Sequence, residues 1–480
     1  MRQKVNLEPD KKRGLWGLID RIEGDKVVWI IVFMLIMISW LAIFSSTPLL
    51  ALETHSDRLS IMKEQVGVTI FGLAIMFGLY YIQKIGIFRW FSKLGFLVSF
   101  VLLAILDLKL DLGFIKAERL NDASRSLKMF GVQIHIFEIV KVSMIMYLAW
   151  AIHTCKKDSE DKSHKKYFKW LHRLSSYHPK LEFLTKGLSK RIIYIYFPMA
   201  LITIMVMPGS NSSAMLIGGV MGIILLLGGI KFKEILGLVV IGLLGISICF
   251  GLYKVTDGAL FDRFGTLEGR ISMDKSPERL IELKKAQKEA TGTKKQEITT
   301  EIQNILDKIS QPNAAKIAVH EGGIIGKGPG GSTQKYVVPV MFGDYMFSFL
   351  LEEYGLWGGI LVIILYVSLL ARGSWIARLC DSDFAQLAVG GLTLLITTQA
   401  FLHMFINVDL GPLTGQTLPL VSHGNGAFLS FCVAFGVILS ISRMANKKIR
   451  EEEEEAKPIY EKEDDIQANM DVLEQLDNIE

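Results

Sequence analysis

The sequence predicts an all-α polytopic membrane protein with about ten transmembrane helices, both termini cytoplasmic and a large extracytoplasmic loop between the seventh and eighth helices. Three observations carry this. Of 480 residues, 50% are hydrophobic and only 21% are charged, and the mean hydropathy is +0.36, a balance found among membrane proteins. The charges gather between apolar runs of roughly 17–25 residues. That is the length a helix needs to cross a hydrocarbon core of about 30 Å, where backbone polar groups have only each other as partners. Lys and Arg, finally, concentrate in alternate loops, which fixes orientation.

The runs fall at about 27–46, 66–82, 94–109, 136–152, 191–207, 212–229, 233–253, 345–371, 384–403 and 423–442. The N-terminal arm, 1–26, carries Lys11, Lys12, Arg13, Arg21 and Lys26. The second loop has Lys84, Arg89 and Lys93, and the fourth has Lys156, Lys157, Lys165, Lys166, Lys169 and Arg173. Lys231 and Lys233 follow in the sixth loop, Arg372 and Arg378 in the eighth, and Arg443, Lys447, Lys448 and Arg450 after the last run. Every even-numbered loop and both ends are basic, so both ends are expected inside. A largely polar arm of 26 residues precedes the first run with no small-residue cleavage site, so it is expected to be an anchor rather than a cleaved signal.

Cys155, Cys249, Cys380 and Cys432 lie far apart, which supports neither a disulfide framework nor a zinc site. A net charge of +5 is small for this length and is explained by the inside loops, so nucleic acid is not an expected partner. The large outside segment, 254–344, holds an insertion near 275–310 in which Ser276 and Pro277 read as a cap and first turn. Leu280, Ile281 and Leu283, then Ile298, Ile302, Ile305 and Ile309, recur at helical spacing and predict two amphipathic helices split near Thr291–Thr293. These are either a solvated insertion on the membrane surface or a docking surface for a partner. The loop 153–190 reads as an interfacial helix on anionic membrane lipids. The charged tail, 444–480, is expected to be disordered beyond Lys447.

Several residues stand out as chemistry in an apolar setting. "GGIIGKGPGGSTQKYVVP" opens at Gly322; it lacks the strand and helix context of a dinucleotide fingerprint and the Gly-Lys-Ser/Thr of a P-loop. What remains is a backbone that can approach a ligand closely, with Lys327, Ser332, Gln334 and Lys335 to meet phosphate or sugar oxygens. Asp344 stands where water gives way to lipid, a setting that suits a general base; the alternative is an N-cap on the helix that follows. Glu352 and Glu353 are two turns deeper, where carboxylates are functional or paired. Glu138 and Lys141, three apart, share a helix face. Pro412, Gly415 and Pro419 break the backbone ahead of Ser422 and His423, and irregular backbone at membrane depth lines a cavity or packs within protein.

Together these stretches resemble the SEDS family of cell-wall polymerases, the group that holds FtsW, RodA and SpoVE. "GGIIGKGPGGSTQKYVVP" followed by "GDYMFSFLLEEYGLWGG" is similar to the family's Gly-rich loop with its Asp-Phe-Ile-Phe and Glu-Glu-x-Gly signatures. "HIFEIVKV" keeps the Glu138 and Lys141 of Gln-Pro-Ser-Glu-x-x-Lys. "QAFLHMFINVDLGPLTGQTLPLVSHGNGAF" resembles the ninth-to-tenth span region, with Pro412, Gly415, Pro419 and Ser422 in place. The chain departs from the family in having Arg125-Ser126 for Arg-Trp, "MPGSNSSA" for Pro-Asp-x-Gly-Thr-Ala and "HGNGA" for Tyr-Gly-Gly-Ser. The likeness covers nearly all of 27–443, and its ends lean towards the division branch, FtsW.

The resemblance implies a peptidoglycan glycosyltransferase at the outer face of the bacterial cytoplasmic membrane, at the division septum, using lipid II. Asp344 would be the general base, and Arg125, Lys327, Ser332, Gln334, Lys335 and Ser422 would contact substrate. Glu138, Lys141, Glu352, Glu353, Pro412, Gly415 and Pro419 would shape the cavity. A divalent cation, Mg or Mn, is a conceivable aid, with no ligand set readable from the sequence. Expected partners are a class B penicillin-binding transpeptidase and small bitopic division proteins. The rival readings are a lipid II flippase, an elongation polymerase of the RodA type and a scaffold for the transpeptidase.

Overall fold

The computed structural model describes residues 23–108, 115–120, 123–129, 132–160, 167–177, 179–255, 276–289, 293–338, 341–412 and 414–456. The arm before residue 23 and the tail after 456 lie outside them. Among the described residues, nine helices are long and apolar enough to cross a membrane. They are α1 (Lys26–Ser46), α3 (Arg58–Tyr80), α4 (Ile85–Asp107), α5 (Ile136–Glu160), α7 (Gly187–Val206), α9 (Phe232–Val255), α12 (Met346–Leu379), α13 (Asp383–Asn407) and the first 28 residues of α14 (Asn425–Ala456). A shorter apolar helix, α8 (Asn211–Leu227), of 17 residues, falls on the sixth apolar run. The remaining short helices are α2 (Pro48–Glu53) and α6 (Lys169–Ser175).

Helix ends follow local chemistry rather than hydropathy alone. Asp25 caps α1, accepting hydrogen bonds from the Val27 and Val28 amides at 3.0 and 3.1 Å, which satisfies donors that a first turn leaves orphaned. α4 starts at Ile85, well before the run expected at 94, because its polar first turns have partners: Arg89 donates to Ser382 Oγ at 3.1 Å and stacks over Phe384. In α7 the backbone widens to a π segment at Ile192–Tyr196 just before Pro198, whose ring and missing N–H cannot continue a regular ladder. The Tyr194 carbonyl there accepts from the Tyr147 hydroxyl at 3.1 Å. α14 continues to Ala456, through residues the sequence assigns to the tail, with Lys447–Glu451 and Lys448–Glu452 paired one turn apart.

α5, α13 and α14 form the middle of the bundle and are the most buried of its spans, whereas α9 keeps nearly all its side chains on the outside. α14 packs along α3, α12 along α13, and α4 along α5. The segment between α4 and α5 departs from the all-helical expectation. β1 (Ile115–Leu120), β2 (Ala123–Met129) and β3 (Val132–His135) make a small antiparallel sheet in the order β1-β2-β3, with Leu127 paired to both Ala117 and Ile134 and fully buried. The 275–310 insertion forms α10 (Ser276–Glu289) and α11 (Thr293–Gly322), around a small core of Leu280, Leu283 and Ile302. α11 runs past the expected boundary and delivers the chain directly into the Gly-rich loop.

Candidate functional site

Two constructions at one end of the bundle define the site, and both involve the first turns of α12. The first is a clasp between the Gly-rich loop and α12. At Gly355 the helix opens, with φ 66° and ψ −164°, a region only glycine occupies readily. The Glu352 and Glu353 carbonyls thereby turn to the loop and accept from the Lys327 and Gly328 amides, each at 2.9 Å, while the Leu356 amide donates to Gly323 O at 3.0 Å. A Cβ on Gly355 would come within 2.4 Å of Ile324 O, and one on Gly326 within 2.4 Å of Glu353 O. The glycines of the motif permit backbone-to-backbone contact.

Inside the clasp the two glutamates are fully buried. Glu352 Oε1 accepts from Lys327 Nζ at 2.8 Å, from the Thr333 amide at 2.8 Å and from Thr333 Oγ1 at 3.0 Å, and its Oε2 accepts from Ser332 Oγ at 2.5 Å. Glu353 Oε1 accepts from Ser45 Oγ at 2.5 Å and faces Lys335 Nζ at 3.4 Å. Lys335, itself 2% exposed, also donates to Gly330 O at 2.8 Å. Charges at this depth survive only when paired and hydrogen-bonded. Burial works against the Lys327 charge, but the carboxylates of Glu321 and Glu352 outweigh it and raise the pKa of the ammonium above its ordinary value.

The second construction holds Asp344. The residue lies in the turn leading into α12 and is half-buried. It is not the helix cap: the cap position is Tyr345, whose side chain makes no capping bond. Capping comes from α13 instead. Asn407 Oδ1 accepts from the Ser348 amide at 3.0 Å, and His403 Nε2 from the Phe347 amide at 3.4 Å. Asn407 Nδ2 donates to the Asp344 carbonyl at 3.0 Å. From the other side, Ser422 Oγ donates to Gly343 O at 2.8 Å and the His423 amide donates to Phe342 O at 2.9 Å.

Beneath this turn lies a polar network. Lys141, 2% exposed, reaches Glu138 at 2.7 Å, Gln399 Oε1 at 2.6 Å and Gln416 Oε1 at 3.0 Å. Gln416 passes the connection to Ser213 Oγ of α8 at 2.9 Å, and its carbonyl lies 2.7 Å from His403 Nδ1. Because His403 Nε2 accepts from an amide, the ring proton sits on Nδ1 and donates to that carbonyl.

The residues singled out in the sequence therefore divide. Lys327, Ser332, Gln334 and Lys335 do come together, but around the two glutamates: Gln334 contributes its amide to Glu352 Oε1 at 3.4 Å. Lys335, Ser332 and Ser422 were expected to touch substrate; at 2–4% exposure they are occupied in holding the loops, since each fills a hydrogen-bonding position that burial would otherwise leave unmet. Glu138 and Lys141 meet as the spacing predicts. Gly415, with φ 66°, and Pro419, whose carbonyl accepts from Tyr366, shape the broken segment, while Pro412 is exposed at its start. Arg125 lies in β2, with its side chain outside the described residues. Sequence reasoning missed Gln399, His403 and Asn407, although their four-residue spacing in an apolar run is a signal, since it places three costly polar groups on one helix face.

Comparison with known proteins agrees with this architecture. The family model FtsW/RodA/SpoVE, described as "Cell cycle protein", matches residues 25–264 and 292–447. Escherichia coli "Peptidoglycan glycosyltransferase MrdB" is 35% identical over 150 residues, covering 28% of this chain and 40% of that protein's length. Geobacter metallireducens "Probable peptidoglycan glycosyltransferase FtsW" is 23% identical over 420 residues, 87% of this chain and 94% of that protein. The crystal structure of Thermus thermophilus RodA superposes with a TM-score of 0.52 at 15% identity, covering 88% of this chain and 98% of that one. Fold and polar clusters define a multi-pass membrane protein with a buried charged site at one end of its bundle. The chain belongs to the FtsW/RodA/SpoVE family.

Proposed function

We propose that the protein is a peptidoglycan glycosyltransferase that polymerises lipid II at the outer face of the cytoplasmic membrane, with Asp344 as general base. The observation that carries the reading is the placement of Asp344: half-buried at one end of the bundle, in a turn before a helix whose first amides are capped by Asn407 and His403, and backed by a polar network that reaches into the membrane span. A lipid-linked sugar keeps its polyprenyl tail in the bilayer and its saccharide in water, so its chemistry belongs at such an end. Relatives bearing the glycosyltransferase name support the activity.

In the proposed step the acceptor's GlcNAc 4-hydroxyl gives its proton to Asp344 as its oxygen attacks the donor's MurNAc C1. The C1–O bond to undecaprenyl diphosphate breaks and its electron pair leaves with the diphosphate. An α-linked donor gives a β-linked product by one inversion, so one base suffices and no carboxylate nucleophile is needed. Arg125 and the partly exposed Lys327 are assigned to the leaving-group charge. Among the described residues no three carboxylate, histidine or thiol side chains are placed to hold a metal ion. FtsW-named relatives align over most of the chain, which supports septal synthesis, with a class B transpeptidase and small bitopic division proteins as partners. A structural neighbour comes from "a peptidoglycan synthase complex".

The test is lipid II polymerisation by purified protein, with and without its transpeptidase, comparing wild type with Asp344→Ala and Asp344→Asn. Glycan chains lost in correctly folded variants are expected, with a rate loss of about 10² or more. Chains that persist in the variants remove Asp344 from the base role. A wild type that makes none under any partner condition moves the function to lipid transport or scaffolding.

A further inference from the structure

We propose that Asn407 is a positioning residue for Asp344, the clamp that sets the catalytic turn against the first turn of α12; this rests on Asp344 acting as the base. Asn407 is 2% exposed and its amide is fully used. Nδ2 donates to the Asp344 carbonyl at 3.0 Å and to the His403 carbonyl at 2.9 Å. Oδ1 accepts from the Ser348 amide at 3.0 Å and lies 2.9 Å from Ser348 Oγ. The orientation of the amide is fixed by its partners, since two carbonyls demand the nitrogen and a backbone amide demands the oxygen.

The geometry explains why this residue type is needed. One planar group spans from the carbonyl of Asp344 to the amide of residue 348, so it fixes the backbone of Asp344 and the direction of the helix at once. Aspartate at 407 could accept but, ionised, not donate; alanine could do neither; glutamine is a methylene too long. Asn407 is in turn anchored in α13, one turn from His403 and two from Gln399, so the Lys141 network and the Asp344 turn share one rigid support. A displacement of about 1 Å in a reacting group costs on the order of 10² in rate.

The experiment compares pH–rate profiles and KM for lipid II polymerisation by full-length wild type, Asn407→Asp, Asn407→Ala and Asp344→Asn, each normalised to folded, monodisperse protein. Asn407→Asp and Asn407→Ala are expected to lower kcat about ten- to a hundredfold with KM within about twofold. In Asn407→Asp the acid limb should also move to higher pH, because a second carboxylate beside Asp344 disfavours its charged form. For Asn407→Asp, a profile that matches wild type, or that falls without a shift of its acid limb, overturns the proposal; for Asn407→Ala, an unaltered kcat does so. Should Asn407→Asp not fold, Asn407→Ala decides by its kcat. Wild-type turnover in Asp344→Asn sinks the base reading itself, whereas an inactive Asp344→Asn beside unaltered Asn407 variants sinks the clamp alone.

Discussion

Replacing Gly355 by alanine should release the Gly-rich loop from α12. The native φ of 66° with ψ −164° is a region that non-glycine residues enter at a cost of about 1–3 kcal/mol. The added Cβ would lie 2.4 Å from Ile324 O and 2.5 Å from Gly326 N, both backbone atoms with no rotamer to move. Relief requires the loop to withdraw, which gives up the Lys327-to-Glu352, Gly328-to-Glu353 and Leu356-to-Gly323 backbone bonds, at about 1 kcal/mol each. Wild type gives up the same bonds whenever it opens, so the substitution shifts the opening equilibrium by the strain it adds to the closed form, about 1–3 kcal/mol. At 1.4 kcal/mol per tenfold, that is about ten- to a hundredfold in the opening equilibrium. Hydrogen–deuterium exchange in detergent reads this directly: the Lys327 and Gly328 amides should lose about ten- to a hundredfold in protection while those in the middle of α13 keep theirs. Protection within about threefold of wild type at both amides would refute the reasoning.

Two further outcomes follow from the charged pairs. Lys141→Met leaves Glu138 without its cation and two glutamine oxygens without a donor, so thermal denaturation should show a loss of about 3–5 kcal/mol. Adding Glu138→Gln should restore part of it, and strict additivity in the double-mutant cycle would count against a coupled pair. At the opposite end of the bundle, the Glu23 carboxyl is held below its ordinary 4.5 by a hydrogen bond to Arg443 at 2.6 Å. A lowered carboxyl pKa stabilises above the unfolded value, and that contribution fades as pH drops below 4.5 through the folded value. Melting temperature should therefore fall more steeply with acid in wild type than in Glu23→Gln between about pH 4.5 and 3.

Much of the bundle was legible because lipid imposes a simple rule on sequence, and each apolar run has its helix. The Glu138–Lys141 pair was legible for the same reason, since two opposite charges three residues apart in a span must meet. The α10–α11 hairpin followed from its isoleucine spacing. What was not legible is long-range. Nothing near Ser332 or Lys335 announces that their partners are Glu352 and Glu353, because a glycine-rich stretch reads equally as ligand loop or as backbone spacer. Asp344 reads locally as a general base or as an N-cap, and only the fold shows that Asn407, 63 residues on, has taken the capping task. The sheet at 115–135 escaped detection because its strands are short and mixed in polarity.

The burial of Glu352 also has a consequence for biogenesis. The top of α12 cannot rest in a bilayer as an isolated helix, since a carboxylate there is costly without donors. Its donors, Lys327, Ser332 and Thr333, all precede it in the chain. By the time ribosome and translocon deliver Glu352, the loop that neutralises it has already been made. The order of residues thus matches an order of assembly in which the Gly-rich loop is made before the helix it closes upon.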